Sequence, residues 1–170
     1  LEIARASIEA YLSTGNLPCL QEEDQELLQR GALFVSLKQA GTLRGCIGSI
    51  EADRPLYLAV SSCAVAAATQ DPRFPPLSPE ELPSTTIEIS ILSPLQRMRD
   101  PGEVQIGVHG LFISHGGRHG LLLPQVATEM GWDREMFLRQ VCLKAGLPED
   151  AWQQGAEVYL FTAEVIREKS

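Results

Sequence analysis

The chain has 170 residues, enough for one domain or for a domain with a smaller lobe. Apolar residues make up 44% and charged residues 21%, which excludes the disordered and fibrous classes. Fourteen basic against twenty-two acidic residues leave a net charge of -8, which argues against nucleic-acid binding through overall phosphate neutralisation but leaves room for a local basic pocket.

Residues 3–13 read as a helix, with Ile3, Ile8, Tyr11 and Leu12 at helical spacing and Gly15 as its stop. A short acidic helix is expected over 22–29. Residues 32–39 alternate, with Leu33, Val35 and Leu37 on one side. A turn at 40–42 then returns the chain as a second strand over 43–50, closing a hairpin. A helix entered through Asp53 and Pro55 runs to Thr69. Its Leu56, Ala59, Val60, Cys63, Ala64 and Ala67 share a side small enough to approach a sheet closely. The apolar stretch over 56–68 is interrupted by Ser61 and Ser62 and is too short to cross a bilayer.

The proline-rich passage over 71–83 contains Ser78-Pro79-Glu80-Glu81, a capping box that predicts one short turn. Residues 85–92 form the cleanest strand, with Ile87, Ile89 and Ile91 facing one way. Glu88 and Ser90 face the other, which is read as solvent, with a polar cleft as the alternative. A loop over 93–102 carries Arg97 and Arg99. Two or three short strands follow over 104–123, with Gly116-Gly117 at a hairpin tip. A brief helix over 124–130 precedes a longer one capped by Asp133, whose stripe is Phe137, Leu138, Val141, Cys142 and Ala145. Residues 157–167 read as one closing strand. The sum is an α+β domain over 1–170, mainly antiparallel sheet flanked by helices, with a larger lobe and room for a smaller sub-lobe around 53–85.

Cys19, Cys46, Cys63 and Cys142 include no Cys-x-x-Cys pair, so the strongest zinc and redox signals are missing. All four read as reduced thiols. The opening residues lack the basic-then-apolar pattern of a secretion signal, and a cytoplasmic location is expected.

Leu43-Arg44-Gly45-Cys46-Ile47-Gly48 is the most informative run. On an extended strand Arg44 and Cys46 share a face, and a cation there favours the thiolate, the nucleophilic form. Gly45 and Gly48 remove side chains beside the sulfur, leaving room for a ligand or for another backbone. Cys46 is thus either a reactive thiol or ordinary core. His109, between glycines at 107 and 110, is a candidate proton carrier or a plain loop residue. Arg73 is a candidate anion holder with Phe74 packed beneath it, or a surface charge on a stiff turn. His115 and His119 fall on opposite faces if Gly116-Gly117 is a two-residue turn, so no metal site is expected, and no cofactor motif appears.

Five ordered motifs carry a family resemblance: Leu-Arg-Gly-Cys-Ile-Gly at 43–48, Asp-Pro-Arg-Phe-Pro-Pro at 71–76, Gly-Val-His-Gly at 107–110, Leu-Pro-Gln-Val-Ala at 123–127 and Gly-Trp-Asp at 131–133. With them the chain resembles the AMMECR domain family over nearly its whole length. It looks most like the branch called AmmeMemoRadiSam system protein A, whose members are encoded beside a Memo-like protein and a radical S-adenosylmethionine protein. The resemblance implies an α+β fold of two lobes with the Arg-Gly-Cys motif near a cleft. It carries no settled reaction. Its motif residues here are Arg44, Gly45, Cys46, Gly48, Arg73 and His109.

Two functions follow as expectations. In the first, the chain is an enzyme acting on a small molecule or a nucleobase together with those two proteins. Cys46 is its thiolate, with Arg44 as stabiliser, His109 as proton carrier, and Arg73, Gly45 and Gly48 at the substrate. In the second, it is a non-catalytic adaptor whose stiff proline-rich loop presents Phe74 and Leu77 to those partners.

Overall fold

A computed structural model describes residues 1–169. The chain divides into two compact units, one built from residues 1–92 with the C-terminal segment from Glu164, the other from Ser93–Ala163. Residues 53–85 fall wholly within the first unit.

In the first unit, α1 (Glu2–Thr14) ends where Gly15 takes a left-handed φ of 73°, as the sequence predicts. The acidic helix is a single turn, α2 (Gln25–Leu28), held by the Asp24 side chain accepting from the Glu26 N–H. Strands β1 (Ala32–Gln39) and β2 (Thr42–Ser49) form the predicted hairpin across Ala40-Gly41, both at positive φ. Helix α3 (Leu56–Thr69) is capped by the backbone at Pro55, not by Asp53, whose carboxylate pairs with Arg54 instead. After a 3-10 turn, β3 (Thr85–Leu92) pairs antiparallel with β1, and β8 (Ala163–Arg167) completes a four-stranded sheet of order β2-β1-β3-β8.

One face of this sheet is apolar. Leu33, Val35, Leu37, Ile87 and Ile89 are buried with Ala64, Ala67 and Ala68 of α3, and Ile8 of α1 joins the same core. Ser7 of α1 donates to Ser61 of α3 at 2.8 Å inside it. Leu77, expected at the surface of the proline-rich loop, is buried in this core, and its N–H donates to the Ala68 carbonyl. The opposite face carries Ser36, Cys46, Glu88 and Ser90. Glu88 and Ser90 are buried, so the solvent reading of that face is corrected.

The second unit holds the sheet β4-β7-β5-β6, where β4 is Gln96–Arg97, β5 Gly110–His115, β6 Arg118–Leu122 and β7 Glu157–Phe161. The region 104–123 therefore yields two strands. Gly116-Gly117 makes a two-residue turn with His115 opposite Arg118 and His119 opposite Ser114, which puts the two rings on opposite faces. Helices α4 (Pro124–Glu129) and α5 (Arg134–Lys144) follow, the latter capped by Asp133 as expected. Phe137, Leu138, Val141 and Cys142 of α5 are fully buried with Leu111, Ile113 and Val158. The single closing strand expected over 157–167 is two strands in different sheets, interrupted at Thr162. Among the described residues no helix is long and apolar enough to cross a membrane.

Candidate active site

The run that drew attention in the sequence lies on β2, an edge strand. Its pairing with β1 is regular from Ser49 to Gly45, then slips: Leu37 faces Gly45 and Lys38 faces Leu43, leaving Arg44 as the extra residue of a bulge. The bulge re-aims Arg44. Its Nε and one terminal nitrogen bind both Glu81 oxygens at 3.0 and 3.1 Å, and its other terminal nitrogen donates to the Pro75 carbonyl at 2.9 Å. A further donation reaches the Pro76 carbonyl. Arg44 is therefore a clamp between the strand and the proline-rich loop. Its donors are thereby committed to Glu81 and the loop carbonyls.

Glu81 serves that clamp from the predicted capping box. Its Oε2 also accepts the Ser78 N–H at 2.8 Å. Hydrogen bonds from Arg44 and then Ser78 bring its pKa from 4.5 down to about 2.

The glycines are occupied by the chain itself. A Cβ on Gly45 would overlap the Ala67 carbonyl of α3, and one on Gly48 would overlap the Leu33 carbonyl and the Phe34 ring. The space read as room for a substrate is packing space at both positions. The alternative in which glycines admit another backbone holds at Gly45, where helix α3 lies directly on the strand.

Cys46 is half-buried and stands directly across from Ser36, whose hydroxyl donates to Sγ at 3.2 Å. The Cys46 N–H points away from β1 and is accepted by Asp71 Oδ2 at 2.9 Å. Ser36 and Cys46 therefore form a non-hydrogen-bonded pair, the kind in which opposed side chains come closest. Asp71 is buried, and its carboxylate is held by Arg73 through Nε at 3.0 Å and a terminal nitrogen at 2.7 Å. That pairing, with the N–H groups of Cys46 and Arg73, overrides burial and holds Asp71 far below the usual carboxylate range. Arg73 is half exposed, with its guanidinium carbon 5.5 Å from the centre of the Phe74 ring. Its pKa is raised, first by the hydrogen bond to Asp71, against burial, then by the charges of Asp71 and of an ionised Cys46. Arg73 is thus one cation that feels the charge of an ionised Cys46.

His109 belongs to the second unit. Its N–H donates to the Gln105 carbonyl at 2.9 Å, and its Nδ1 accepts the Gln105 N–H at 3.1 Å. A neutral ring accepting at Nδ1 carries its N–H at Nε2.

Sequence reasoning missed Ser36, Asp71 and Glu81. Ser36 is the polar interruption of an otherwise apolar strand core, and Asp71 precedes a proline where a turn starts, so both left a weak local trace. Of the other thiols, Cys63 is half-buried and pushed up by burial, and buried Cys142 likewise. Among the described residues no three His, Cys, Asp or Glu side chains gather as a metal site.

Comparison with known proteins places this chain in a class. The AMMECR1 family model matches residues 1–166, and the chain belongs to that family. It is 43% identical to a protein of Methanothermobacter thermautotrophicus, covering 99% of this chain and 92% of that one. A Methanosarcina barkeri protein is 42% identical, with 99% and 88% covered. The fold matches the crystal structure of an uncharacterised protein from Pyrococcus horikoshii with a TM-score of 0.95, at 39% identity over 99% of this chain and 89% of that one.

Proposed function

We propose that the protein is a small cytoplasmic enzyme in which Cys46 is a thiolate nucleophile toward a small-molecule or nucleobase substrate. The observation that carries this reading is the 3.2 Å hydrogen bond from the Ser36 hydroxyl to the half-buried sulfur. A donor aimed at sulfur favours its ionised form, and the Arg73 guanidinium adds a charge of the right sign. Arg73 takes the stabilising role first assigned to Arg44. Arg44 supports the site by fixing the loop that carries Asp71 and Arg73. Cooperation with a Memo-like protein and a radical S-adenosylmethionine protein is part of the proposal and rests on the likeness of the motifs to the AmmeMemoRadiSam branch. Iodoacetamide labelling at neutral pH, with sites assigned by mass spectrometry, tests the reactivity. Cys46 is expected to react faster than the exposed Cys19, and slower reaction would contradict the proposal.

The adaptor reading is favoured by a different observation: Arg44, Gly45 and Gly48 are all consumed in packing. Phe74 then remains as the partly exposed aromatic of the loop. Pull-down of the two partner proteins with wild type and Phe74→Ala distinguishes it, because equal recovery counts against the adaptor.

A further inference from the structure

Glu88 stands on the same face of the sheet as Cys46, one strand beyond Ser36, and is Ser36's partner across β1 and β3. Its side chain is only 7% exposed, and its Oε2 binds both Lys38 Nζ at 3.1 Å and Arg167 Nε at 2.7 Å. By contrast, Arg5, Arg44, Arg54 and Arg73 of this unit each face a single carboxylate. A buried carboxylate carrying two cations leaves local positive charge on a chain whose net charge is -8. Both cations converge on one buried oxygen.

The cations themselves reach solvent. Lys38 is 30% and Arg167 59% exposed at the side chain. An ammonium has three donors and a guanidinium five, so each keeps donors beyond the one given to Glu88. With neighbouring strands about 4.8 Å apart, Glu88 lies about 10 Å from Cys46 across β1. That is the span of a small substrate with an electrophilic carbon at one end and a charged group at the other.

We infer that the substrate acted on at Cys46 carries an anionic group, a carboxylate or a phosphate, bound by Lys38 and Arg167 above Glu88. This rests on the reading of Cys46 as a reactive thiol and adds the substrate class to it. Glu88 is a positioning residue here: it touches no substrate and holds the two cations in place. The surrounding negative charge of the protein makes the patch selective, because an anion is repelled elsewhere and admitted at this point.

Two alkylating reagents of similar size and different charge test the inference, iodoacetate and iodoacetamide. The quantity measured is the ratio of their rate constants at Cys46, with the ratio at Cys19 in the same molecule as reference. Wild type is expected to show a higher ratio at Cys46 than at Cys19. The ratio is expected to fall about threefold or more in Lys38→Gln/Arg167→Gln, and to fall in wild type as salt is added. Each single variant leaves one cation on Glu88 and is expected to fall between the two, which guards against a double variant that folds poorly. Inorganic phosphate is expected to slow iodoacetate more than iodoacetamide. Fast labelling by iodoacetamide with equal ratios in wild type and both single variants overturns the anion site and leaves the reactive thiol standing. Failure of both reagents at Cys46 removes the thiol reading, and the substrate class goes with it.

Discussion

Asp71 accepts the backbone N–H of Cys46 at 2.9 Å, from a position 25 residues further along the chain. At an edge strand such an N–H would otherwise face outward without a neighbouring strand to accept it. The carboxylate therefore completes the sheet and fixes the backbone that carries the thiol. The same carboxylate anchors Arg73, so one buried group sets both the position of the sulfur and the position of its cation.

Asp71→Asn keeps the shape and removes the charge. The loss of charge-assisted hydrogen bonds is expected to cost about 1–3 kcal/mol, a fall of roughly 3–10 °C in melting temperature for a chain of this size. Thermal denaturation measures it, and an unchanged midpoint would show that the Asp71 contacts contribute nothing.

Gly45→Ala drives a methyl group into the Ala67 carbonyl of α3. Strand and helix must separate, and the expected cost is about 3 kcal/mol. Gly41, with φ of 79° and nothing near its missing side chain, is a useful contrast because its penalty comes from backbone conformation alone. Urea unfolding of Gly45→Ala within error of wild type would rule out the close approach of α3.

Acid sensitivity follows from the depressed carboxylates. Glu81 titrates near 4.5 when unfolded and at about 2 when bound to Arg44 and Ser78, and Asp71 is lowered further by Arg73. A group with a lowered folded pKa stabilises fully above its unfolded pKa, and that stability is lost as pH falls toward the folded value. Melting temperature is thus expected to hold between about pH 7 and pH 5, then decline from about 4.5 to 2. In Arg44→Ala the Glu81 share of that decline is expected to shrink to what the Ser78 N–H and Gln39 still hold, giving a shallower slope. Equal slopes in the two proteins would contradict the clamp.

His109→Ala is expected to leave the pH profile of Cys46 labelling unchanged, since its Nδ1 already accepts from Gln105. The stability cost is that of one hydrogen bond, about 1 kcal/mol. A shifted profile would restore the histidine to the thiol.

Strand β3 and the hairpin of β1 and β2 were legible because apolar alternation over eight residues leaves little choice of face. The Gly15 stop, the Asp133 cap and the two-residue turn at Gly116-Gly117 were legible for local reasons also. Arg44 was not, because alternation assigns it to the face of Cys46 and only the pairing with β1 reveals the extra residue that re-aims it. Residues 157–167 show continuous strand character, and nothing local says that β7 and β8 join different sheets. Cys46 itself stood out in its motif. Its partners Ser36 and Asp71 lie 10 and 25 positions away, so contact with them depends on folding and not on spacing. Glu88 was placed on the correct face and given the wrong surroundings, because a polar face of a sheet is solvent-exposed more often than buried.

The rate of iodoacetamide reaction at Cys46 as a function of pH, in wild type, Arg73→Ala and Arg44→Ala, bears on the thiolate most directly. Removing Arg73 is expected to move the midpoint of the profile upward by about half a unit or more, while removing Arg44, which acts only through the loop, moves it less. An unmoved midpoint in Arg73→Ala, or a larger shift in Arg44→Ala, would contradict the pairing of Cys46 with Arg73.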